Sequence, residues 1–203
     1  MRLFFFFFIF LFLIPATGHS VPYEYQLDPD HSHVGFKVKH IGYAFTVGRF
    51  NAVSGKFVFN EEAKNLKSLK AEVTPQSVDT AHKERDNHVR SSDFLDVETY
   101  PAMTFVMTGN QQISKNKGTI TGNLTLLGVT KPVTLDVIWH KSGRYPFGGG
   151  AFSDPPYVLG ASAQTTIKRS DFGMTYGVES GLVADEVDII IEIEAVRGDK
   201  TQP

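Results

Sequence analysis

Apolar and polar side chains alternate along most of this chain of 203 residues. A period of two predicts β-strands that turn one face to an apolar interior and the other to water. The clearest strands are predicted at 34–40, 53–59, 102–108, 119–128, 133–140 and 187–195, with weaker ones at 23–27, 66–78 and 157–168. Turn residues such as "GN", "KNKG" and "GVTKP" separate these segments. The pattern therefore indicates about eight or nine short antiparallel strands.

Antiparallel strands with one apolar face build a sandwich or a barrel. A barrel of about eight strands encloses a lumen that side chains fill or that holds one small ligand. Gly55 and Gly122 fall on the apolar faces of their strands, where they bend the sheet or leave room for a guest. The pattern alone does not decide between a packed interior and a ligand cavity.

One helix is predicted, at about residues 81–92, with Asp79 or Thr80 as its amino-terminal cap. This segment is crowded with histidine, arginine, aspartate and serine, which raises the question of catalysis. Spacing of i,i+4 pairs Glu84 with His88 and Asp86 with Arg90, as in an exposed ladder of ion pairs. We expect a surface helix, because catalysis needs a cleft that the sequence does not reveal.

The amino terminus resembles a secretory signal. Arg2 precedes an unbroken apolar run from Leu3 to Ile14, which is too short for a membrane-spanning helix of roughly 20 residues. Small residues place the cleavage after Gly18 or Ser20. Residues 1–20 are thus expected to be a signal peptide, and 21–203 a single β-barrel domain of an exported protein.

Composition excludes several functions. Lysine and arginine number 20 against 22 aspartates and glutamates, which offers no field for nucleic acid. The absence of cysteine removes thiol nucleophiles and thiolate metal sites. His31 and His33 share a strand face, yet no carboxylate sits at a matching offset on that element, so we expect no metal. The chain also lacks the glycine-rich phosphate-binding motifs, and we expect no cofactor.

Ordered motifs along the chain resemble the YceI family, also called the polyisoprenoid-binding or YceI-like domain. They are "YQLDPDHSHVGFKVKHIG" (25–42), "GRF" (48–50), "SVDTAHKERDNHVRSSDFLDVETYP" (77–101), "GNLTLLGVTKPV" (122–133), "IKRSDFGM" (167–174) and "VADEVDIIIEIEA" (183–195). The resemblance implies an all-β, lipocalin-like antiparallel barrel with a short surface helix. It further implies a bacterial periplasmic or secreted protein that binds an isoprenoid or another long-chain amphiphilic lipid and is linked to quinone handling or stress.

Combined with the alternation, this resemblance yields candidate binding residues. The expected lumen residues are Val34, Phe36, Val38, Phe57, Phe59, Met103, Phe105, Leu124, Leu126, Leu135, Trp139, Phe172, Ile189 and Ile191. The expected polar rim consists of His31, Arg85, Asp86, Arg90 and Arg169, with the arginines as candidates for a lipid head group. No residue is expected to be catalytic.

Two other functions stay open on the sequence. One is a lipid-modifying enzyme that uses the polar cluster at 82–93, and the other is an interaction protein whose barrel is fully packed. The sequence does not reveal the oligomeric state, so a homodimer is open as well.

Overall fold

The structure is a computed structural model that describes residues 21–112, 114–150 and 154–200. The expected signal peptide and its two cleavage positions lie outside the described residues. The strands are β1 (Tyr23–Leu27), β2 (His33–His40), β3 (Ala44–Phe50), β4 (Val53–Asn60), β5 (Asn65–Val73), β6 (Val78–Asp79), β7 (Met103–Gln112), β8 (Lys117–Leu126), β9 (Val129–Arg144), β10 (Tyr157–Lys168) and β11 (Val183–Lys200). One α-helix, α1 (Lys83–Arg90), and short 3-10 turns at Pro75–Ser77 and Arg169–Phe172 complete the described elements.

Eight of these strands close a barrel, which confirms the predicted fold. The order β1-β4-β5-β7-β8-β9-β10-β11 returns to its start because β11 also pairs with β1. Strands β2, β3 and β6 branch from the other half of β11, where Ile189 lies opposite Phe36. All neighbouring strands run antiparallel.

Two differences from the predicted strands have simple causes. β3 escaped prediction because its outward face carries Phe45 and Val47, so apolar residues do not mark one face alone. The predicted strand at 66–78 is interrupted at Pro75, which has no N–H to donate to a ladder and begins a 3-10 turn.

The helix is shorter than predicted and has a different cap. Ala81 has a φ of 59°, a left-handed conformation that cannot join a right-handed helix. His82 is the cap instead, and its Nδ1 accepts from the N–H of Arg85 at 3.3 Å. Asp79 caps a tight turn, since its carboxylate accepts from the N–H of Ala81 at 2.8 Å.

Buried side chains gather in two clusters, one beneath α1 and one farther from it, and Val34 and Val73 pack against both. The far cluster includes Tyr25, Phe57 and Leu159, and lies where β1 completes the ring. The cluster beneath α1 joins residues of strands, of the second 3-10 turn and of loops, namely Phe50, Val78, Leu95, Leu126, Phe172 and Met174. These two clusters form the solid core.

The inward glycines make room for phenylalanine rings of neighbouring strands. A Cβ at Gly122 would lie 2.3 Å from Cζ of Phe105, and one at Gly48 would lie 2.4 Å from Cζ of Phe36. Gly55 lies against the backbone of β5, where an added Cβ would be 2.8 Å from the carbonyl oxygen of Lys70. Each glycine therefore permits close packing within the wall, as in aromatic rescue of strand glycines.

Arg169 fastens the segment that follows β10. Its side chain is 2 % exposed and donates to four carbonyl oxygens, those of Met174, Tyr176, Val183 and Ala184, at 2.7–3.0 Å. Burial lowers the pKa of its guanidinium from the ordinary value. The planar fork of an arginine suits such a set of acceptors, and a lysine cannot reproduce it.

We therefore expect Arg169→Lys to lower the free energy of unfolding by about 3 kcal/mol, because several buried carbonyls lose their donors. Chemical denaturation followed by circular dichroism measures this change. Arg144→Lys is the matched control, since Arg144 forms an exposed ion pair with Asp154 and such pairs contribute less than about 1 kcal/mol. Equal losses in the two variants would contradict the role assigned to Arg169.

Candidate functional site

An apolar cavity of about 490 Å³ lies inside the barrel between the two buried clusters. Aliphatic, phenylalanine and methionine side chains of the inner face dominate its wall. Phe36, Met103 and Ile189 point into it, and all three are only half-buried although they face the interior. Inward side chains of a packed barrel would be fully buried, so the interior is hollow.

Most of the predicted lumen residues line this cavity. They are Val34, Phe36, Val38, Phe57, Met103, Phe105, Leu124, Leu126, Leu135, Ile189 and Ile191. Phe172 does not, because it lies in the packed cluster beneath α1 with 2 % exposure. Phe172 follows the end of β10, and the chain there turns beneath the helix, so its side chain does not face the lumen.

Phe59 and Trp139 line a second, smaller chamber of about 150 Å³ at the far end of the barrel. Their rings meet edge to face with centroids 5.5 Å apart. Phe57, Ile120 and Ile193 line both chambers, so the two spaces are neighbours along one axis. Together they make the interior elongated.

Exposed residues gather where the main cavity meets the surface beside α1. We call this place the mouth and define it by the exposed lining residues His40, Arg85, His88, Tyr176 and Leu182. The ring of Tyr176 contacts that of His88 with centroids 5.1 Å apart. The helix, the β2–β3 hairpin and the segment before β11 thus meet at one opening.

Of the predicted rim residues, Arg85 lies at the mouth and keeps donors that the described residues do not use. Its Nε donates to Oγ1 of Thr80 at 2.8 Å, and its Nη2 donates to the Thr80 carbonyl at 2.7 Å. The side chain is exposed and lines the cavity, and the described residues occupy only these two of its five donors. Arg169 also lines the cavity, but its donors are directed at backbone carbonyls.

Asp86 and Arg90 serve the structure around the helix. Asp86 is buried and accepts from the N–H and the hydroxyl of Thr80 at 2.8 and 2.6 Å. Arg90 donates to the carbonyls of Gln76 and Val78 at 2.9 and 2.7 Å. The expected ladder of i,i+4 ion pairs is therefore wrong, because both partners of the Asp86–Arg90 pair bind groups outside the helix.

His31 lies away from the mouth, in the turn between β1 and β2. Its Nδ1 is 2.8 Å from Oδ2 of Asp28. The fold also brings Glu194 of β11 close, so that one ligand atom from each of Asp28, His31 and Glu194 lies within 4.8 Å of the others. The sequence spacing places His33 on the same strand face as His31. In the folded chain the groups close to His31 are instead the carboxylates of Asp28 and Glu194.

Several site residues were missed by the sequence analysis. Ile120, Val133, Val137, Val187 and Ile193 line the cavity on strand faces whose alternation was visible in the sequence. Tyr176 and Leu182 had no such signal, because the segment between β10 and β11 has no periodicity.

Comparison with known proteins agrees with this architecture. The YceI-like domain family matches residues 25–195. A UPF0312 protein of Pseudomonas paraeruginosa is 37% identical over 184 residues, which cover 90% of this chain and 91% of that protein. The crystal structure of the Campylobacter jejuni YceI protein superposes with a TM-score of 0.70 at 30% identity, over 79% of this chain and 90% of the other.

A more distant structure shares the fold. It is described as a polyisoprenoid binding domain from Saccharophagus degradans implicated in plant cell wall breakdown, and it has a TM-score of 0.62 at 15% identity, over 86% of this chain and 98% of that one. Fold and cavity thus define a hollow antiparallel barrel. The chain belongs to the YceI-like domain family.

The Asp28–His31 contact makes a prediction about pH. Hydrogen bonding to Asp28 raises the pKa of His31 above its ordinary value, and the same bond lowers the pKa of Asp28. The stabilisation from His31 is therefore present below its unfolded pKa of about 6.5 and is lost as the pH rises through the folded value. That from Asp28 is present above about pH 3.9 and is lost as the pH falls through its own folded value.

We expect NMR to show His31 titrating above the ordinary pH range of histidine, and Asp28→Asn to return His31 to that range. An unchanged His31 midpoint in Asp28→Asn would contradict the pairing.

Proposed function

We propose that this protein binds an isoprenoid or a similar long-chain amphiphilic lipid in its lumen and carries it through the periplasm without catalysing a reaction on it. The observation that carries this proposal is the hollow, apolar interior bordered by the two buried clusters. A cavity of about 490 Å³ lies within the usual size range of small-molecule sites. Membership in the YceI-like family and the distant polyisoprenoid-binding structure support the same class of cargo.

The energetics favour a hydrocarbon tail as the occupant. Each methylene group moved from water into an apolar lumen contributes about 0.8 kcal/mol. Ordering a flexible tail opposes this gain, but several isoprene units bury enough surface to exceed that cost. Phenylalanine and methionine walls adapt to a flexible guest. A prenylated quinone and a free prenol both belong to this class.

An export signal fits this role, because a lipid that crosses the aqueous periplasm must have its hydrocarbon tail shielded from water. Residues 3–14 supply the apolar segment expected of that signal. Among the described residues, no helix is long and apolar enough to span a membrane.

Catalysis by residues 82–93 has less support. Asp86 is bound to Thr80, and His88 is paired with Asp93 at 2.8 Å. Arg90 donates to backbone carbonyls. These partners account for the polar cluster as a brace that holds the helix against the barrel.

Filling the lumen tests the proposal. Ala163 lines the cavity, so Ala163→Phe places a ring where the tail is expected to lie. We expect the lipid that copurifies with the wild type, identified by native mass spectrometry, to fall about tenfold in occupancy. Gln164→Phe is the matched control, because Gln164 is the exposed neighbour on the same strand. Bare polypeptide from the wild type in several hosts, or equal occupancy in the two variants, would count against a lumen site.

The head-group role of Arg85 has a separate test. Farnesol and farnesyl phosphate have the same tail, and the phosphate alone gains charge-assisted bonds from a guanidinium. We expect Arg85→Ala to weaken farnesyl phosphate binding about tenfold and to leave farnesol binding nearly unchanged. Lys83→Ala, on the same helix but outside the cavity lining, is the control. Calorimetry measures both ligands, and equal losses for the two would contradict a charge contact.

A further inference from the structure

The β2–β3 hairpin carries an apolar surface next to the mouth. We call it the hairpin face and define it by Ile41, Tyr43, Phe45, Val47 and Leu182, all of which are exposed. Tyr43 is 92 % exposed and Val47 is 64 % exposed. Single exposed apolar residues are common on proteins, whereas a cluster contributed by separate segments marks a contact site.

This surface is continuous with the opening of the cavity. The N–H of Ile41 donates to the carbonyl of Leu182 at 3.0 Å, which ties the hairpin tip to the segment before β11. Leu182 belongs both to the hairpin face and to the lining of the cavity. A partner that covers this face therefore lies against the mouth.

The backbone at the hairpin tip is strained. Ile41 and Gly42 have φ values of 49° and 75°, as the two central residues of a type I′ turn do. Asparagine, aspartate and glycine are the residues that such a turn favours, and a β-branched residue there is an outlier. Residues held in such strained conformations cluster at functional sites.

The β8–β9 turn provides an internal comparison. Leu127 and Gly128 have φ values of 51° and 72°, so an apolar residue again precedes glycine in the left-handed region. Leu127 packs against the buried cluster beneath α1, which accounts for its identity. Ile41 is 44 % exposed. Packing in the buried cluster thus explains Leu127, whereas Ile41 belongs to neither buried cluster.

Cations lie beside the apolar residues of the face. Lys39 and Lys37 of β2 lie opposite Phe45 and Val47 of β3. The ammonium groups of Lys37 and Lys39 are 4.6 and 5.8 Å from the centre of the Phe45 ring. Lys37 is paired with Asp188, and Lys39 makes no ion pair with the described part of the chain. Aromatic and aliphatic side chains flanked by lysine are typical of surfaces that lie at a membrane interface.

We propose that the hairpin face docks on an anionic lipid bilayer, with Ile41 and Tyr43 entering the interface and the mouth held at the membrane surface. This inference rests on the proposed lipid cargo, since it supplies the route by which a tail passes between bilayer and lumen. Hydrocarbon could then move into the cavity without crossing bulk water, which would cost the full transfer free energy of the tail.

Vesicle co-sedimentation tests the proposal, with phosphatidylglycerol–phosphatidylcholine vesicles compared with vesicles of phosphatidylcholine alone. We expect the wild type to bind the anionic vesicles more tightly, because lysines flank the face. Ile41→Asn and Tyr43→Ser should each weaken this binding, by about tenfold when combined. Phe147→Ser is the matched control, because Phe147 is 72 % exposed in the β9–β10 loop at the far end of the barrel.

Stability provides a second readout. Asparagine suits the left-handed conformation at position 41, so Ile41→Asn should keep or raise the melting temperature while it lowers vesicle binding. A purely structural role for Ile41 would lower the melting temperature and leave vesicle binding in place. That result would overturn the docking proposal.

The remaining outcomes are distinguishable. Vesicle binding that persists in the double variant, or that falls equally in Phe147→Ser, overturns the proposal. So does light scattering that shows a dimer dissociated by the same substitutions, because the face would then join two copies of the chain. Farnesol binding in solution distinguishes the two proposals. A wild-type protein that does not bind farnesol would contradict the lumen site alone. A double variant that still binds farnesol but binds vesicles more weakly shows that the substitutions act on docking.

Discussion

The backbone hydrogen bonds along β11 are the constraint on which the rest of the structure depends. β10 pairs with the middle of β11, from Glu186 to Val196. The other edge of β11 is divided between β2 near its start and β1 near its end. Where β1 takes the edge, the ring of eight strands closes. Where β2 takes it, the β2–β3 hairpin branches away from the ring and borders the mouth. One shared strand therefore determines both the closed end and the opening.

A hollow interior has an energetic consequence. Side chains that line an empty space lose the dispersion contacts they would have in a packed core. The stability of this fold therefore comes mainly from the two buried clusters around Tyr25 and Val78. The rings of Phe36 and Phe105 lie over Gly48 and Gly122, which keeps the wall dense even where the lumen is open. A guest that binds only the folded barrel adds stability that grows with the logarithm of one plus the ratio of its free concentration to its dissociation constant. An occupied barrel is accordingly the more stable species.

The sequence correctly predicted the features that depend on hydrophobic periodicity. It failed at the ends of strands and of the helix. Alternation located the barrel and lumen residues such as Phe36 and Ile189, because a strand inside a closed sheet fixes which side chains face inward. It could not place Phe172, which follows a strand but turns beneath the helix. The cap of α1 was misassigned because the left-handed φ of Ala81 is a property of the folded turn. Tyr176 is held at the mouth because the Arg169 side chain donates a hydrogen bond to its carbonyl oxygen, a contact that no local sequence pattern encodes.

The three arginines of the motifs show why residue type alone does not reveal a binding role. Arg85, Arg90 and Arg169 each donate to main-chain carbonyls, of Thr80, Val78 and Val183 respectively. These carbonyls belong to short strands or strand ends around α1, where a regular ladder cannot supply every donor. A guanidinium meets this need because it offers several donors in one plane. The guanidinium groups around the helix thus serve the backbone, and of the three only Arg85 is exposed at the mouth.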